Sequence, residues 1–292
     1  MSEFSDDWLA LRAAADSRAR ADRLVQRLRI ERGGCLEVLD LGCGTGANLR
    51  HLAPLLGAAG AREQHWTCVD HADPLLARLA PRTADWAAEQ GHRFAGHGRG
   101  FSIQTNGWVC RVETCAVDLA AGLAALQLPA DGLVTASALL DLVSAAWLDD
   151  LLARCRGARC QLLFALSYDG RCDLRPTHPE DAGVIALVNR HQRGDKGFGP
   201  ALGPDAAAHA LSRCGALGFE AQGVDSDWQI GPDQPDLQRA LIDGWHHAAL
   251  ELAPALAARL DDWRDARAGW IREDRSHIRV GHVDLAAVPA IP

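Results

Sequence analysis

Residues 35–57 read CLEVLDLGCGTGANLRHLAPLLG, and no other stretch restricts the fold so strongly. CLEVLDL is a short apolar run rich in β formers, as expected of a strand buried on both faces. ANLRHLAPLLG then continues with apolar residues at helical spacing. Between the two stand glycines at 42, 44 and 46. A strand, a glycine loop and a helix in that order open a βα unit, and repeated units of that kind build a parallel sheet.

The remaining pattern repeats the alternation. HWTCVD (65–70) predicts a second strand, and Asp73 with Pro74 supplies an N-cap and first-turn proline for a helix through LLARLAPRTADWAAEQ. GFSIQT, then Asn106-Gly107, then WVCRVETCAVDL predicts a hairpin with a type I′ turn, whose second arm joins the sheet as its third strand. DGLVTASALLDLV (131–143) reads as strand four, AAWLDDLLARC as a helix and CQLLFALSY (160–168) as strand five. A polar segment, 169–203, precedes a helix from Pro204-Asp205 to the Gly215–Gly218 region. The strand FEAQGVDSDWQI, a long helix through LQRALIDGWHHAALELAPALAARLDDW and a last strand, SHIRVGHVDLAA, follow. Upstream, Trp8, Leu9, Leu11, Leu24, Val25 and Leu28 mark one or two helices that end at Gly33-Gly34. No linker or repeat divides the chain. The expectation is a doubly wound, Rossmann-like α/β domain over residues 1–292, with a helical cap to 34, a core at 35–168 and a half at 169–292 that completes the sheet.

Composition narrows the function. The chain has 292 residues, 48% hydrophobic and 23% charged, which is ordinary globular usage. Its net charge is −8, Lys196 is the single lysine and no basic run exists, so phosphate backbones find little to hold and a nucleic-acid partner is not expected. The nine cysteines are odd in number and form no CxxC pair, which argues for reduced, mostly buried thiols and against a disulfide framework or zinc site. No histidine spacing places metal ligands on one face, and no metal is implied. No apolar run reaches 18 residues and MSEFSDDW is acidic where a signal peptide is basic, so the expectation is a cytoplasmic chain without a membrane segment.

Ligands of open α/β sheets sit beyond the carboxyl ends of the strands, at the loop after strand one. Glycines there permit positive φ and close approach of a ligand to the backbone. Two cofactor classes fit. Gly42-x-Gly44-x-x-Ala47 satisfies a relaxed dinucleotide fingerprint, and Asp70 suits a ribose in either class. Three features favour the other class. Asp40 puts a carboxylate at the strand end, suited to an ammonium and unwelcome beside a pyrophosphate. Gly46 adds a third glycine, and Asp118 follows strand three where it can accept from an exocyclic amine. A ligand made of an amino acid, a ribose and an adenine, without phosphate, matches this set.

In these residues the sequence resembles the class I S-adenosylmethionine-dependent methyltransferases. VLDLGCGTG is close to that family's motif I, Asp70 after WTCV matches its ribose acid, and Asp118-Leu119 matches its adenine-binding acid and apolar residue. The resemblance spans residues 35–168 and implies S-adenosylmethionine (SAM) held by Asp40, Gly42, Gly44, Gly46, Asp70, Asp118 and Leu119. It also implies a seven-stranded sheet whose last strand is antiparallel. The gap from Gly46 to Asp70 exceeds the usual spacing of about 20 residues, and GAAGAREQ reads as a loop insertion that absorbs the excess.

The acceptor side is less defined. Asp141, just past strand four, either faces the acceptor as an orienting group or base, or caps the next helix. Tyr168, the only tyrosine, stands at the end of strand five, at the rim or at the edge of the core. His191, with Arg193 and Lys196, lies in a polar stretch suited to a lid or to plain solvation. Trp228 either walls the acceptor pocket or fills the core. Of His246 and His247 on one helix, one faces solvent. Arg12, Arg18 and Arg20 are surface charges unless the first helix closes over the cofactor and aims one at its carboxylate. The reading is a methyltransferase acting on O or N of a small molecule, monomeric or homodimeric, with Asp141, Tyr168 and His191 on the acceptor side. The alternatives are a SAM-binding sensor or partner subunit that transfers nothing, and an NAD-dependent oxidoreductase.

Overall fold

The computed structural model describes residues 5–31, 33–98 and 100–290. Among these residues ten strands form one sheet: β1 (Cys35–Leu41), β2 (Glu63–Asp70), β3 (Arg93–His97), β4 (Gly100–Gln104), β5 (Val109–Ala116), β6 (Leu133–Ser137), β7 (Gln161–Arg175), β8 (Phe219–Asp225), β9 (Trp228–Ile230) and β10 (His277–Pro289). Their order is β3-β4-β5-β2-β1-β6-β7-β10-β8, with β9 paired to β10. From β5 to β8 this is a seven-stranded sheet in which β10 alone runs against its neighbours, as the resemblance implied. Among the described residues eight helices flank it: α1 (Asp6–Ala19), α2 (Ala47–Ala59), α3 (Asp73–Glu89), α4 (Ala145–Gly157), α5 (Asp181–Gln192), α6 (Ala206–Ala216), α7 (Pro235–Leu252) and α8 (Ala257–Arg272).

The strands lack polar alternation because both faces are covered. Val38, Leu133 and Leu163 pack with Leu49, Leu52, Leu56 and Trp66 on one face. Their neighbours Leu39, Val134 and Leu162 pack with Leu148, Leu151 and Ala210 on the other. A third core, around Trp228, Trp245 and Trp263, joins α5, α7 and α8 to the far half of the sheet. Among the described residues no helix is long and apolar enough to cross a membrane.

Several sequence expectations are corrected. The β4–β5 turn is not type I′, because neither Asn106 nor Gly107 has positive φ. Thr105 Oγ1 shapes it instead, accepting from the backbone N–H groups of Gly107 (3.1 Å) and Trp108 (3.0 Å). RFAGH adds an edge strand, β3, which its mostly exposed residues concealed. Strand four stops at Ser137, and a 3-10 turn at Leu140–Leu142 follows. Strand five continues past Tyr168 to Arg175, since β10 supplies a partner for its polar residues. The polar segment after it contains α5, so His191 lies on a helix. FEAQGVDSDWQI divides into β8 and β9, and the long helix breaks near Pro254, whose missing N–H interrupts the ladder. GAAGAREQ is no insertion: α2 extends to Ala59, Gly60 ends it and β2 starts at Glu63. Six of the nine cysteines are buried, and all are free.

Candidate active site

Strand β1 lies between β2 and β6, with the chain turning to opposite sides of the sheet at this point. A crevice therefore opens at its carboxyl end. Gly42, Gly44 and Gly46 have φ of +63°, +53° and +82°, so the loop takes a path that side-chain-bearing residues rarely adopt. Gly46 is the tightest of the three, since a Cβ there would lie 2.9 Å from Leu79 Cγ. The Gly46→Ala variant is expected to lose about 2 kcal/mol of unfolding free energy in a urea titration, from left-handed strain and displacement of Leu79.

The acids predicted around this loop occupy strand ends, each with its own set of partners. Asp40 is wholly buried and registers with Thr135 on β6. Asn48, in the first turn of α2, donates from Nδ2 to Asp40 Oδ1 at 2.7 Å. Asp40 Oδ2 has no hydrogen-bond partner among the described residues. Burial pushes its carboxyl up to about 7, opposed by the Asn48 hydrogen bond and the Arg20 charge and reinforced by Asp70. Asp70 closes the loop: its Oδ2 accepts from Gly44 N–H at 2.8 Å and its Oδ1 from Ala72 N–H at 2.9 Å. Asp118 is exposed beyond β5 and caps a short 3-10 turn through Ala120 N–H at 2.9 Å. Leu119 is buried, and its carbonyl accepts from Trp147 Nε1 at 2.8 Å.

Helix α1 lies over this edge. Asp6 pairs with Arg82 of α3 at 2.6 Å, and Arg18 lies 3.7 Å from Asp233. Leu9 Cδ1 lies 3.3 Å from where a Cβ on Gly44 would stand. Two of the arginines that sequence places on the outside are in fact buried at the side chain, Arg12 and Arg20. Arg12 binds Asp16 at 2.8 Å and stands 5.0 Å over the Trp228 ring. Trp228 Nε1 donates to the same Asp16 carboxylate at 3.1 Å.

Next to Arg12, the acceptor-side candidates separate. Asp141 is buried, and its Oδ1 has no partner among the described residues. Burial raises its carboxyl to about 6, against its own backbone N–H, the Arg12 charge, the backbone N–H of Tyr168 and the Lys196 charge. Tyr168 is therefore a neighbour of Asp141, but its hydroxyl donates to Asn189 Oδ1 at 2.7 Å, and burial raises its pKa well above the ordinary value. His191 does not join them: its Nε2 pairs with Glu251 at 3.0 Å, between α5 and α7. His246 is buried against Asp261, while the side chain of His247 is 77% exposed, so one of the pair does face solvent.

Sequence reasoning passed over His282. It sits between Trp228 (4.8 Å) and Tyr168 (6.2 Å), with burial and the Arg12 charge lowering its pKa to about 3. The imidazole is thus neutral at pH 7, and Nδ1–H donates to Val280 O at 3.1 Å. A lone histidine in the last strand carries no motif that could have singled it out. At the opposite end of the sheet, Cys35, Glu37 and His65 have possible ligand atoms within 4.8 Å of one another. Arg111 stands at 2.9 Å from His65 Nε2 and Glu37 at 3.0 Å from Nδ1, so both ring nitrogens are already engaged.

The class defined by this architecture is a Rossmann-like, doubly wound α/β sheet with a glycine loop and a buried acid at its switch point. No family model matches the sequence, and no curated protein matches it. Among solved structures it is similar to a cyclopropane-fatty-acyl-phospholipid synthase-like protein from Lactobacillus casei, at 14% identity over 98% of this chain and 94% of that one, with a TM-score of 0.48. It is similar also to a SAM-dependent methyltransferase from Thiobacillus denitrificans in complex with S-adenosyl-L-homocysteine (14% identity, 97% and 98% covered, TM-score 0.41). A third is a cyclopropane synthase from Mycobacterium tuberculosis (13% identity, 91% and 82% covered, TM-score 0.44). At this level of likeness no residue role passes from those proteins to this chain.

Proposed function

We propose that the protein is a SAM-dependent methyltransferase that moves a methyl group to an oxygen or nitrogen of a small-molecule acceptor. The observation that supports this best is Asp40: a wholly buried carboxylate with one oxygen unpartnered among the described residues, two residues before a loop of left-handed glycines. A pyrophosphate at that position would meet like charge, whereas an α-ammonium brings the missing hydrogen-bond donor and a positive charge beside the acid. Asp70 and Asp118 stand at the ends of β2 and β5, where ribose hydroxyls and an adenine amine would fall, with Leu119 beside them.

When bound, the donor supplies a methyl group on a sulfonium, whose leaving group is a neutral thioether. The chain's own work is then to hold the reactants in line and exclude water. Asp40, the glycine loop and Asp70 hold the donor, α1 covers the edge, and Asp141 receives the acceptor's proton at its unpartnered Oδ1. Proton transfer falls to Asp141 because Tyr168 is committed to Asn189 and His191 to Glu251.

Calorimetric titration with SAM, S-adenosylhomocysteine and NADH tests the cofactor class. Binding of the first two without NADH is the expected result, and binding of NADH alone would overturn it. Asp141→Asn should leave S-adenosylhomocysteine affinity within about twofold and lower transfer about a hundredfold or more. In the native protein the rate should rise with pH through about 6, as Asp141 ionises. If Asp141→Asn turns over normally, the base is another group.

A further inference from the structure

A buried polar network stands behind the glycine loop and joins it to the N-terminal segment. Arg20, just past α1, has a side chain only 6% exposed and donates from Nη2 to Asn48 Oδ1 at 2.8 Å. Asn48 Nδ2 donates in turn to Asp40 Oδ1 (2.7 Å) and to Thr135 Oγ1 (3.1 Å). On the other side, Arg20 Nε lies 3.9 Å from Asp284 of β10. Asp284 accepts from Ala21 N–H (2.9 Å), Leu166 N–H (2.7 Å) and the Ser226 hydroxyl (2.6 Å). One buried guanidinium thus lies beside Asp284 and reaches Asp40 through Asn48, and Asp40 is the acid left with an oxygen unpartnered among the described residues.

We propose that Arg20 and Asn48 are positioning residues for the donor site: Asn48 aims Asp40, and its hydrogen bond together with the Arg20 charge favours the ionised form that an ammonium needs. The proposal rests on the SAM reading above. It makes donor binding and the seating of the N-terminal segment mutually reinforcing, because both draw on the same guanidinium.

The groups facing Asp40 are Asn48, Arg20, Asp70, the thiols of Cys43 and Cys68, and Thr135. Those facing Arg20 are Asp284, Asp16, Asp40 and Asp22, the last paired with His51. Arg20 is the only cation acting on Asp40 in this set, and burial still holds the acid near 7. An ammonium prefers the ionised acid, so binding below that pH releases a proton. Affinity must then fall as pH falls, by about tenfold per unit.

The test is calorimetric titration with S-adenosylhomocysteine between about pH 5.5 and 8.5, on the native protein and on Asn48→Ala, Arg20→Lys and Arg20→Met. The native protein should show the acid limb near pH 7. Asn48→Ala should bind about tenfold more weakly at pH 7 and recover most of that loss by pH 8.5, because the limb moves upward. Arg20→Lys should retain more affinity than Arg20→Met. If Arg20→Met does not fold, Asn48→Ala and Arg20→Lys decide. A loss in Asn48→Ala that is equal at every pH, no loss at all, or a flat native profile would overturn the positioning roles. No binding by the native protein at any pH would instead overturn the donor reading.

Discussion

Asp40→Asn is expected to abolish most donor binding while making the ligand-free protein more stable. Removing one partner of a buried ammonium–carboxylate contact costs about 3 kcal/mol, roughly a hundredfold in Kd for S-adenosylhomocysteine. Stability moves the other way because the native carboxyl titrates near 7, above its ordinary value of 3.8. A folded acid with a raised pKa is fully stabilising only below its unfolded pKa, and that contribution is lost as pH rises through the folded one. Over this interval the native protein loses about 4 kcal/mol that an amide does not lose. Urea unfolding should therefore show the variant more stable by a few kcal/mol at pH 8, with the gap closing toward pH 4. Equal stability at pH 8 would mean that Asp40 ionises without hindrance. Unchanged affinity would remove it from the donor site.

Asp284→Ala is expected to do the most damage to the fold. Its carboxylate is the acceptor for two backbone N–H groups and a buried hydroxyl, and it is the nearest anion to Arg20. Truncation leaves Arg20 without that counter-charge and three donors without an acceptor, at a cost of about 3–5 kcal/mol. The unfolding free energy from a urea titration should fall by that amount, and S-adenosylhomocysteine affinity should fall with it as the N-terminal segment loses the hydrogen bond from Ala21 N–H. Donor affinity that survives intact in a destabilised Asp284→Ala would separate the segment's seating from the donor site.

These two residues also mark how far the sequence could be read. Asp40 was legible because it stands two residues from a glycine pattern that few local structures require, and its chemistry could be argued from a single βα unit. Asp284 was not. Its partners come from residues 21, 166 and 226, and the meeting depends on β10 running antiparallel beside β7, with irregular register between Val280 and Leu285. The same holds for His282, whose place beside Trp228 and Tyr168 depends on the pairing of distant strands. Helix α1 hid its role for another reason. Most of its residues are exposed or half-buried, so neither its cover over Gly44 nor the burial of Arg12 leaves an amphipathic stripe to read.

By itself the sequence determined the parallel sheet, the place of its glycine loop and the acids at its strand ends, because strand burial and left-handed turns leave local marks in residue type and spacing. Only the tertiary structure decided which buried charges share a partner, that Asp141 joins Tyr168 while His191 goes to Glu251, and that α1 covers the loop. Those outcomes depend on desolvation and on contacts between residues distant in the chain, which no local pattern encodes.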